Sequence, residues 1–307
     1  MDLRFFSQRG ILPASAIPLA RLLASRLTRS ALICGGVASA VLWAAAGASA
    51  AVSVSSNWAG YALTRASGAS PPFRSVSGSW TQPGASCPAR RQTYSAVWVG
   101  LGGFSRSSRA LEQIGTEADC SRSGGAVYST WLELVPAPPV KLALKVTPGD
   151  RITASVTVAG HGVTLRIRDL SSGASYGATH RVAATDVSSA EWVVEAPSVC
   201  LATGACLTLP LTDFGVINFS GVSATAAKHT GTIGDRDWAA AELELQQAAS
   251  RGPGFPAGPH AFYGGVTTVA APSPTSAGGF SVSWQQETAQ TEQPSLPTLP
   301  GLGDGPP

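Results

Sequence analysis

The sequence predicts an all-β protein, an antiparallel sandwich of short strands. Apolar and polar residues alternate in many short segments, which is the period of a half-buried strand. The 34 Gly and 22 Pro supply the turns that separate such strands. Charged residues make up only 13% of the chain, which argues against a long helical bundle or coiled coil. The hydrophobic fraction of 44% is enough for a core.

The most regular strands lie in the middle of the chain. Apolar positions alternate over 142–146, 152–158 and 163–167, and Gly- and Pro-containing turns separate the three segments. Because successive side chains of a strand point to opposite faces, we expect the face with Ile152 and Val163 to pack inward. Shorter segments of the same kind are 94–99, 127–135, 191–195, 215–219, 266–269 and 280–284.

One segment has an ambiguous pattern. Residues 237–249 are rich in Ala, Glu, Leu and Gln, a composition typical of a helix. Within them, Glu242-Leu243-Glu244-Leu245 alternates strictly, which favours a strand. We predict a strand because the neighbouring segments are all strands, and a helix is the alternative.

Composition divides the chain into three parts. We interpret residues 51–286 as one β-sandwich domain, which is large for one domain but ordinary for a sandwich. Residues 287–307 are rich in Pro, Gly, Thr and Gln and have almost no core-forming residues. We expect this tail to be disordered.

Residues 1–50 have the organisation of a secretory signal. Five Arg are followed by an apolar run from Ala31 to Ala46 and by the small residues Ala48-Ser49-Ala50. The run is shorter than the ~20 residues that a membrane span needs. We therefore predict a secreted, extracellular protein with no membrane association in its mature form. A single-pass anchor is the alternative.

The charge balance gives no reason to expect a nucleic-acid partner. The formal net charge is +3, but without residues 1–50 the chain has 16 basic and 17 acidic residues. A near-neutral chain lacks the basic surface that phosphate binding requires.

The cysteines agree with export. Outside the signal region the chain has Cys87, Cys120, Cys200 and Cys206, and an even number in a secreted chain suggests two disulfides. The short loop between Cys200 and Cys206 favours local pairing, which leaves Cys87 for Cys120. A metal site is the weaker alternative, because the spacings are not of the C-x₂-C kind and no His lies nearby.

Other catalytic patterns do not occur. No G-x-S-x-G motif sits at a strand-to-helix elbow that would anchor a serine triad, and no His belongs to an H-x-x-x-H or H-E-x-x-H pattern. We therefore predict neither a metal nor a cofactor. The four His all lie in Gly-, Ala- or Pro-rich surroundings that indicate loops: His161, His180, His229 and His260.

Acidic residues inside apolar strands are more informative. Glu133 follows Trp131 by two positions, and Glu191 and Glu195 bracket a Trp-Val-Val triplet. Residues two or four positions apart in a strand share a face. A carboxyl group that faces an apolar sheet must be paired or have a raised pKa. The alternative is that each of these acids lies on the solvated face.

Four segments, taken in order, resemble the glutamic peptidases, or eqolisins. The resemblance covers roughly Ser55 to Trp284. The segments are Ser55-Ser56-Asn57-Trp58-Ala59-Gly60-Tyr61, Trp98-Val99-Gly100-Leu101-Gly102-Gly103, Leu111-Glu112-Gln113-Ile114-Gly115-Thr116 with the following 128–136, and Ala190-Glu191-Trp192-Val193-Val194-Glu195.

The resemblance implies two seven-stranded antiparallel sheets in a jelly-roll or concanavalin-like sandwich, with a substrate groove across one concave face. It implies a catalytic pair that falls on Gln113 and Glu195, and it supports the Cys200–Cys206 disulfide. Where the family often has Asp after Trp-Val-Gly and a hydrophobic residue, this chain has Gly102. The residues expected to bind substrate or support the groove are Asn57, Trp58, Gly60, Trp98, Trp131, Glu133 and Glu191.

The implied function is a secreted, acid-acting endopeptidase that cuts protein or peptide substrates with Gln113, Glu195 and an activated water, and we expect it to be a monomer. One rival is a sandwich-type glycoside hydrolase that would use Glu133 and Glu195 as its carboxyl pair. The other is a non-catalytic, lectin-like binding module, because a sandwich fold does not determine function.

Overall fold

The computed structural model describes residues 11–13, 51–66, 71–200, 206–248, 266–276 and 278–285. Within these ranges there is no helix, and hence none long and apolar enough to cross a membrane. The predicted tail and, apart from 11–13, the predicted signal lie outside the described residues.

The described residues form nineteen strands. They are β1 (Ile11–Pro13), β2 (Ala51–Ser55), β3 (Trp58–Arg65), β4 (Phe73–Thr81), β5 (Ala96–Gly102), β6 (Leu111–Cys120), β7 (Ala126–Val135), β8 (Val140–Lys141), β9 (Arg151–Ala159), β10 (Gly162–Asp169), β11 (Ser175–Arg181), β12 (Ser189–Glu195), β13 (Ser198–Cys200), β14 (Cys206–Thr208), β15 (Val216–Ala226), β16 (His229–Gly231), β17 (Trp238–Ala248), β18 (Val266–Pro272) and β19 (Phe280–Trp284).

The strands build two layers. One layer has the order β8-β7-β6-β5-β12-β3-β17, and β2 and β1 extend it beyond β17. The other has the order β11-β10-β9-β4-β15-β19. Strand β18 pairs with both β17 and β19 and joins the layers. Every one of these pairings is antiparallel except β2 with β17, so the predicted all-β, antiparallel class is confirmed.

The main core lies between the two layers. Alternate residues of the first layer, such as Val99, Ile114 and Trp192, pack with residues of the second, such as Ile152 and Phe219, in one buried cluster. Burying each large apolar side chain stabilises the fold by about 1.5–3 kcal/mol. The opposite face of the first layer carries a second, smaller cluster, which contains Trp58, Trp98, Leu111, Trp131, Val193 and Leu243. We call this face the site face.

Two sequence predictions about local structure were wrong. Residues 142–146 show the burial alternation of a strand but form no ladder, because β8 ends at Lys141 and only the backbone of Leu142 and the carbonyl of Leu144 bond to Thr130. His180 and His229 lie in β11 and β16 rather than in loops. The ambiguous segment 237–249 is a strand as predicted, β17.

Both predicted disulfides are present, Cys87–Cys120 and Cys200–Cys206. The first ties the segment before β5 to the end of β6. The second closes the β13–β14 hairpin, which directly follows β12.

Gly60 lets β3 lie close against β12. A Cβ atom there would sit 2.1 Å from the carbonyl oxygen of Trp192, and the residue has a φ of 142°, which L side chains rarely adopt. We expect Gly60→Ala to lower the free energy of unfolding by about 3 kcal/mol or more, from strain and overpacking together.

Gly84 is the matched control, because a Cβ there would meet nothing within 4 Å. Urea unfolding of the two variants would measure the difference. Equal stability of Gly60→Ala and Gly84→Ala would contradict the close packing of β3 on β12.

Candidate active site

The strand register places the predicted catalytic residues on the site face. Gln113 of β6 pairs with Glu133 of β7, and Glu195 of β12 pairs with Trp58 of β3. Trp98 of β5 lies on the same face, because it pairs with Val193, two residues from Glu195. Alternation along each strand therefore directs all five side chains away from the main core.

Two nitrogen donors hold the Glu195 carboxyl group. Asn57 Nδ2 donates to Oε1 at 3.2 Å, and Trp98 Nε1 donates to Oε2 at 2.8 Å. Asn57 itself is held in the turn before β3, where Ser55 Oγ accepts its backbone N–H at 3.3 Å. Hydrogen bonds from N–H donors to both oxygens stabilise a carboxylate charge.

Gln113 is held by Glu133 on the neighbouring strand. Gln113 Nε2 donates to Glu133 Oε2 at 2.6 Å, which fixes the orientation of the amide and directs Oε1 away from Glu133. Gln113 has no exposed surface and Glu133 is 3% exposed. Both side chains are therefore enclosed in this structure.

Burial separates the behaviour of the two carboxyl groups. Loss of hydration, and next the charge of Glu195, raise the pKa of Glu133 to about 8, against a smaller lowering by the Gln113 hydrogen bond. Glu133 is therefore a neutral acid at acidic and neutral pH. The site holds one carboxyl group that burial keeps protonated beside another that accepts two N–H hydrogen bonds, and perturbed carboxyl groups of this kind are typical of active sites.

The site face contains an unusual group of unsatisfied polar atoms. Buried polar atoms are nearly always hydrogen-bonded, yet ten buried side-chain nitrogen or oxygen atoms in the described ranges have no partner. Four of the ten lie around the predicted pair, on Gln113, on its partner Glu133 and on two tryptophans of the site face, and they point to a place for a polar ligand. They are Trp58 Nε1, Gln113 Oε1, Trp131 Nε1 and Glu133 Oε1.

Comparison with known proteins decides the family. The sequence model of the peptidase A4 family matches residues 56–250, which is more than half of the chain. The chain belongs to the peptidase A4 family. No curated protein sequence matches it. The predicted glutamic-peptidase family and the predicted glutamic endopeptidase are confirmed, and its substrates are proteins or peptides.

Two solved structures share the fold of this A4 peptidase. Scytalido-glutamic peptidase, solved with a peptide-based transition-state analogue, is 21% identical with a TM-score of 0.58. SCP-B, an eqolisin solved with the tripeptide Ala-Ile-His, is 20% identical with a TM-score of 0.56. Each alignment covers 75% of this chain and 98% of the other. The predicted sandwich architecture is thereby confirmed.

Trp98 contributes to the A4 site through one N–H group. We expect Trp98→Phe, which keeps an aromatic ring but removes the donor to Glu195, to lower kcat/KM by about 10- to 100-fold, since a hydrogen bond to a charged group is worth about 1.5–3 kcal/mol. Trp80→Phe is the matched control, because Trp80 Nε1 donates to Thr116 in the core between the layers. Steady-state kinetics that show equal losses for both variants would contradict this role.

Gly60 and Glu191, two of the predicted support residues, stay predictions. Gly60 packs β3 against β12. Glu191 points to the site face, level with Gln113 because both pair with Gly100 of β5, and it is fully buried. Its pKa is raised well above the usual range, first by loss of hydration and also by the nearby charges of Asp186 and Glu112, so it belongs to an acidic group with these two residues.

Sequence analysis missed the other two members of that group. Glu112 precedes Gln113 in an apolar strand, a signal that could have been noticed, and burial raises its pKa to about 8. Asp186 lies in the irregular segment before β12, where nothing in the sequence indicates a role.

One cluster in the described residues could hold a metal ion. His229, Asp235 and Asp237 each offer a ligand atom, all within 4.8 Å of one another. The three already pair among themselves, with His229 Nε2 2.8 Å from Asp235 Oδ2. They lie on the hairpin that leads into β17, and none of them belongs to the predicted site.

Proposed function

We propose that this A4 peptidase is a secreted, acid-acting endopeptidase whose catalytic pair is Gln113 and Glu195. The observation that carries the proposal is the buried, unpartnered Gln113 Oε1 on the face where Asn57 and Trp98 hold Glu195. An acceptor in this position can hold a water molecule for attack on a peptide carbonyl.

Glu195 acts first as base and then as acid. The carboxylate removes a proton from the attacking water while a C–O bond forms at the scissile carbon. It then gives that proton to the leaving nitrogen as the C–N bond breaks. A positioned carboxylate of this kind contributes typically ~10²–10⁴-fold to the rate. The contacts from Asn57 and Trp98 keep its oxygens oriented through both steps.

Gln113 has two tasks. Its Oε1 accepts a hydrogen bond from the attacking water, and the Nε2 hydrogen that Glu133 does not bind donates to the oxyanion. One such donor can lower the barrier by about 3 kcal/mol. Glu133 keeps the amide from rotating, so the acceptor and the donor stay on the correct sides.

An acidic working range is part of the proposal, and the charges in the site are compatible with it because they set an upper limit only near pH 8. At low pH Glu133 is neutral, so it adds no second negative charge beside the Glu195 carboxyl group. As the pH rises toward 8, Glu133 ionises and places a second negative charge where the oxyanion develops, which opposes the transition state. Peptide-bond cleavage also needs a proton for the leaving nitrogen, and acid favours its delivery.

Incubation with a denatured protein at pH 2–7, with products identified by mass spectrometry, tests the function. We expect internal cleavages that are fastest in the acidic half of this range and that Glu195→Gln loses. Undiminished cleavage by the folded variant would overturn the site, and absence of cleavage by the wild type at every pH would overturn the activity.

Secretion rests on the organisation of residues 1–50. We expect the extracellular protein to begin just after Ala50, which N-terminal sequencing of the culture-medium protein measures. Retention of the intact N-terminus on the cell membrane would favour the anchor instead.

A further inference from the structure

Asp186 lies at the end of the first layer where β5 stops and β6 starts, near two acids that strand alternation directs to opposite faces, Glu112 to the main core and Glu191 to the site face. Glu112 and Glu191 are buried, and neither oxygen of Glu191 has a hydrogen-bond partner, although the Ser189 hydroxyl is near enough to lower its pKa somewhat. Asp186 lies beside both, close enough for its charge to raise their pKa values. The mechanism above uses none of the three.

Asp186 fills the space that a side chain at position 102 would occupy. An ideal Cβ on Gly102 would lie 2.5 Å from Asp186 Cβ, 2.9 Å from its Cγ and 2.6 Å from its carbonyl oxygen. Gly102 is also the position where the glutamic-peptidase pattern often has Asp. The space beside position 102 is therefore occupied by Asp186, from the segment before β12.

The contacts of Asp186 join three parts of the first layer. Its Oδ2 accepts hydrogen bonds from the Gly103 backbone N–H at 3.4 Å and from Ser108 Oγ. Its Oδ1 accepts the Ser188 N–H at 2.9 Å, and its own N–H donates to Glu112 Oε1 at 3.3 Å. The end of β5, the start of β6 and the start of β12 are thus tied to one side chain and its backbone.

We propose that Asp186 is a positioning residue that supplies the carboxyl group absent at position 102 and sets the placement of the strands that carry the catalytic pair. Glu112 directly precedes Gln113 on β6, and β12 leads from Asp186 to Glu195. Gln113 lies near the start of β6 and Glu195 ends β12, and both strands pair with β5 between them. Hydrogen bonds that fix the starts of β6 and β12 therefore help to set the separation of the amide and the carboxyl group. This inference rests on the proposed function of Gln113 and Glu195.

Kinetics of Asp186→Ala and Asp186→Asn test the positioning role. We expect Asp186→Ala to lower kcat about 10-fold or more with KM within about twofold, because Asp186 orients the pair without touching substrate. Asp186→Asn keeps the acceptor for Ser188 and should recover part of the kcat. Asp150→Ala is the matched control. Asp150 Oδ2 also accepts hydrogen bonds within its own turn, from the backbone N–H and the hydroxyl of Thr147, but Asp150 lies before β9 in the other layer. Unchanged kcat in Asp186→Ala, or equal loss in the control, overturns the proposal.

A double-mutant cycle of melting temperatures tests, without using activity, whether side chains at positions 102 and 186 compete for the same space. Gly102→Asp alone should lower the melting temperature because its side chain collides with Asp186, and Asp186→Gly alone should lower it by removing the carboxyl group. In the double variant, the fall in melting temperature should be smaller than the sum of the falls in the two single variants, because one carboxyl group again fills the space. Additive losses overturn this competition for space. If the wild type cleaves nothing, the proposed function fails, while this cycle still decides whether positions 102 and 186 share one site.

Discussion

We expect Glu195→Gln to lower kcat/KM by about 10³-fold while the protein stays folded. Glutamine has nearly the shape of glutamate, but it cannot take a proton from water or return one to the leaving nitrogen. One of its two terminal atoms becomes an NH₂ group facing an N–H donor, Asn57 Nδ2 or Trp98 Nε1, which costs about 1–3 kcal/mol of stability. Kinetics on a protein substrate, with circular dichroism to verify folding, measure both effects.

We expect Gln113→Ala to lower kcat/KM by about 10²–10³-fold, because it removes the oxyanion donor and the acceptor for water together. Gln82 offers a matched control: it is also buried, donates one hydrogen bond through Nε2 to the Glu117 carbonyl, and has an unpartnered Oε1. Gln82→Ala should lose stability but keep its turnover. Similar turnover in the two variants would show that the amide at Gln113 has no special place in the reaction.

A large effect of a different kind is a loss of stability as the pH rises. Burial raises the pKa of Asp119 to about 7 and the pKa values of Glu112 and Glu133 to about 8, and it also raises the pKa of Glu191 well above its ordinary value. Between pH 4 and pH 8 the folded protein therefore holds protons that the unfolded chain has released. Stability falls with pH wherever the folded state binds more protons.

The expected loss is several kcal/mol between pH 5 and pH 8, since each unit of pKa difference is worth about 1.4 kcal/mol. Such a loss is a large part of the 5–15 kcal/mol that stabilises a typical domain. Asp169 and Asp235 have lowered pKa values, so their contributions disappear only as the pH falls below the usual range for Asp. Stability should therefore be greatest near pH 4, and thermal melting at pH 3–8 should show a fall of about 10 °C or more on the neutral side.

Glu191→Gln separates this effect from a general pH response. The amide resembles the neutral acid, so the variant should melt near the wild-type temperature at pH 4 and above it at pH 8. Glu244→Gln on β17 is the control, because Glu244 is only partly buried. A wild-type melting temperature that is constant or rises from pH 5 to pH 8 would contradict the neutral state of the buried acids.

Local alternation predicted most of the strands because a half-buried strand imposes a period of two on its own residues. Strands β9 and β10 follow it closely. The same pattern failed at 142–146, where alternate burial occurs without a neighbouring strand to complete a ladder. The composition around His180 predicted a loop, because the polar, Gly-containing sequence of β11 is not typical of a strand. Pairing at the edge of a layer is a tertiary property that no short window contains.

The motifs located Gln113, Glu133 and Glu195, since each lies in an apolar strand where a polar side chain needs a reason. Sequence also placed Glu191 on the face of Glu195, four residues or about 13 Å along the strand. The register sets it level with Gln113, since both pair with Gly100, and its charged neighbours are Asp186 and Glu112. Asp186 could not be predicted, because its closeness to Gly102 arises only when the segment before β12 folds against the end of β5.

A crystal structure of the protein at acidic pH, with a bound peptide that carries a tetrahedral, non-hydrolysable centre at the scissile position, tests the central claim most directly. We predict one oxygen of that centre within about 2.6–3.2 Å of a Glu195 oxygen and the other at a similar distance from Gln113 Nε2. A peptide bound with its tetrahedral centre beyond the reach of either side chain would contradict the account.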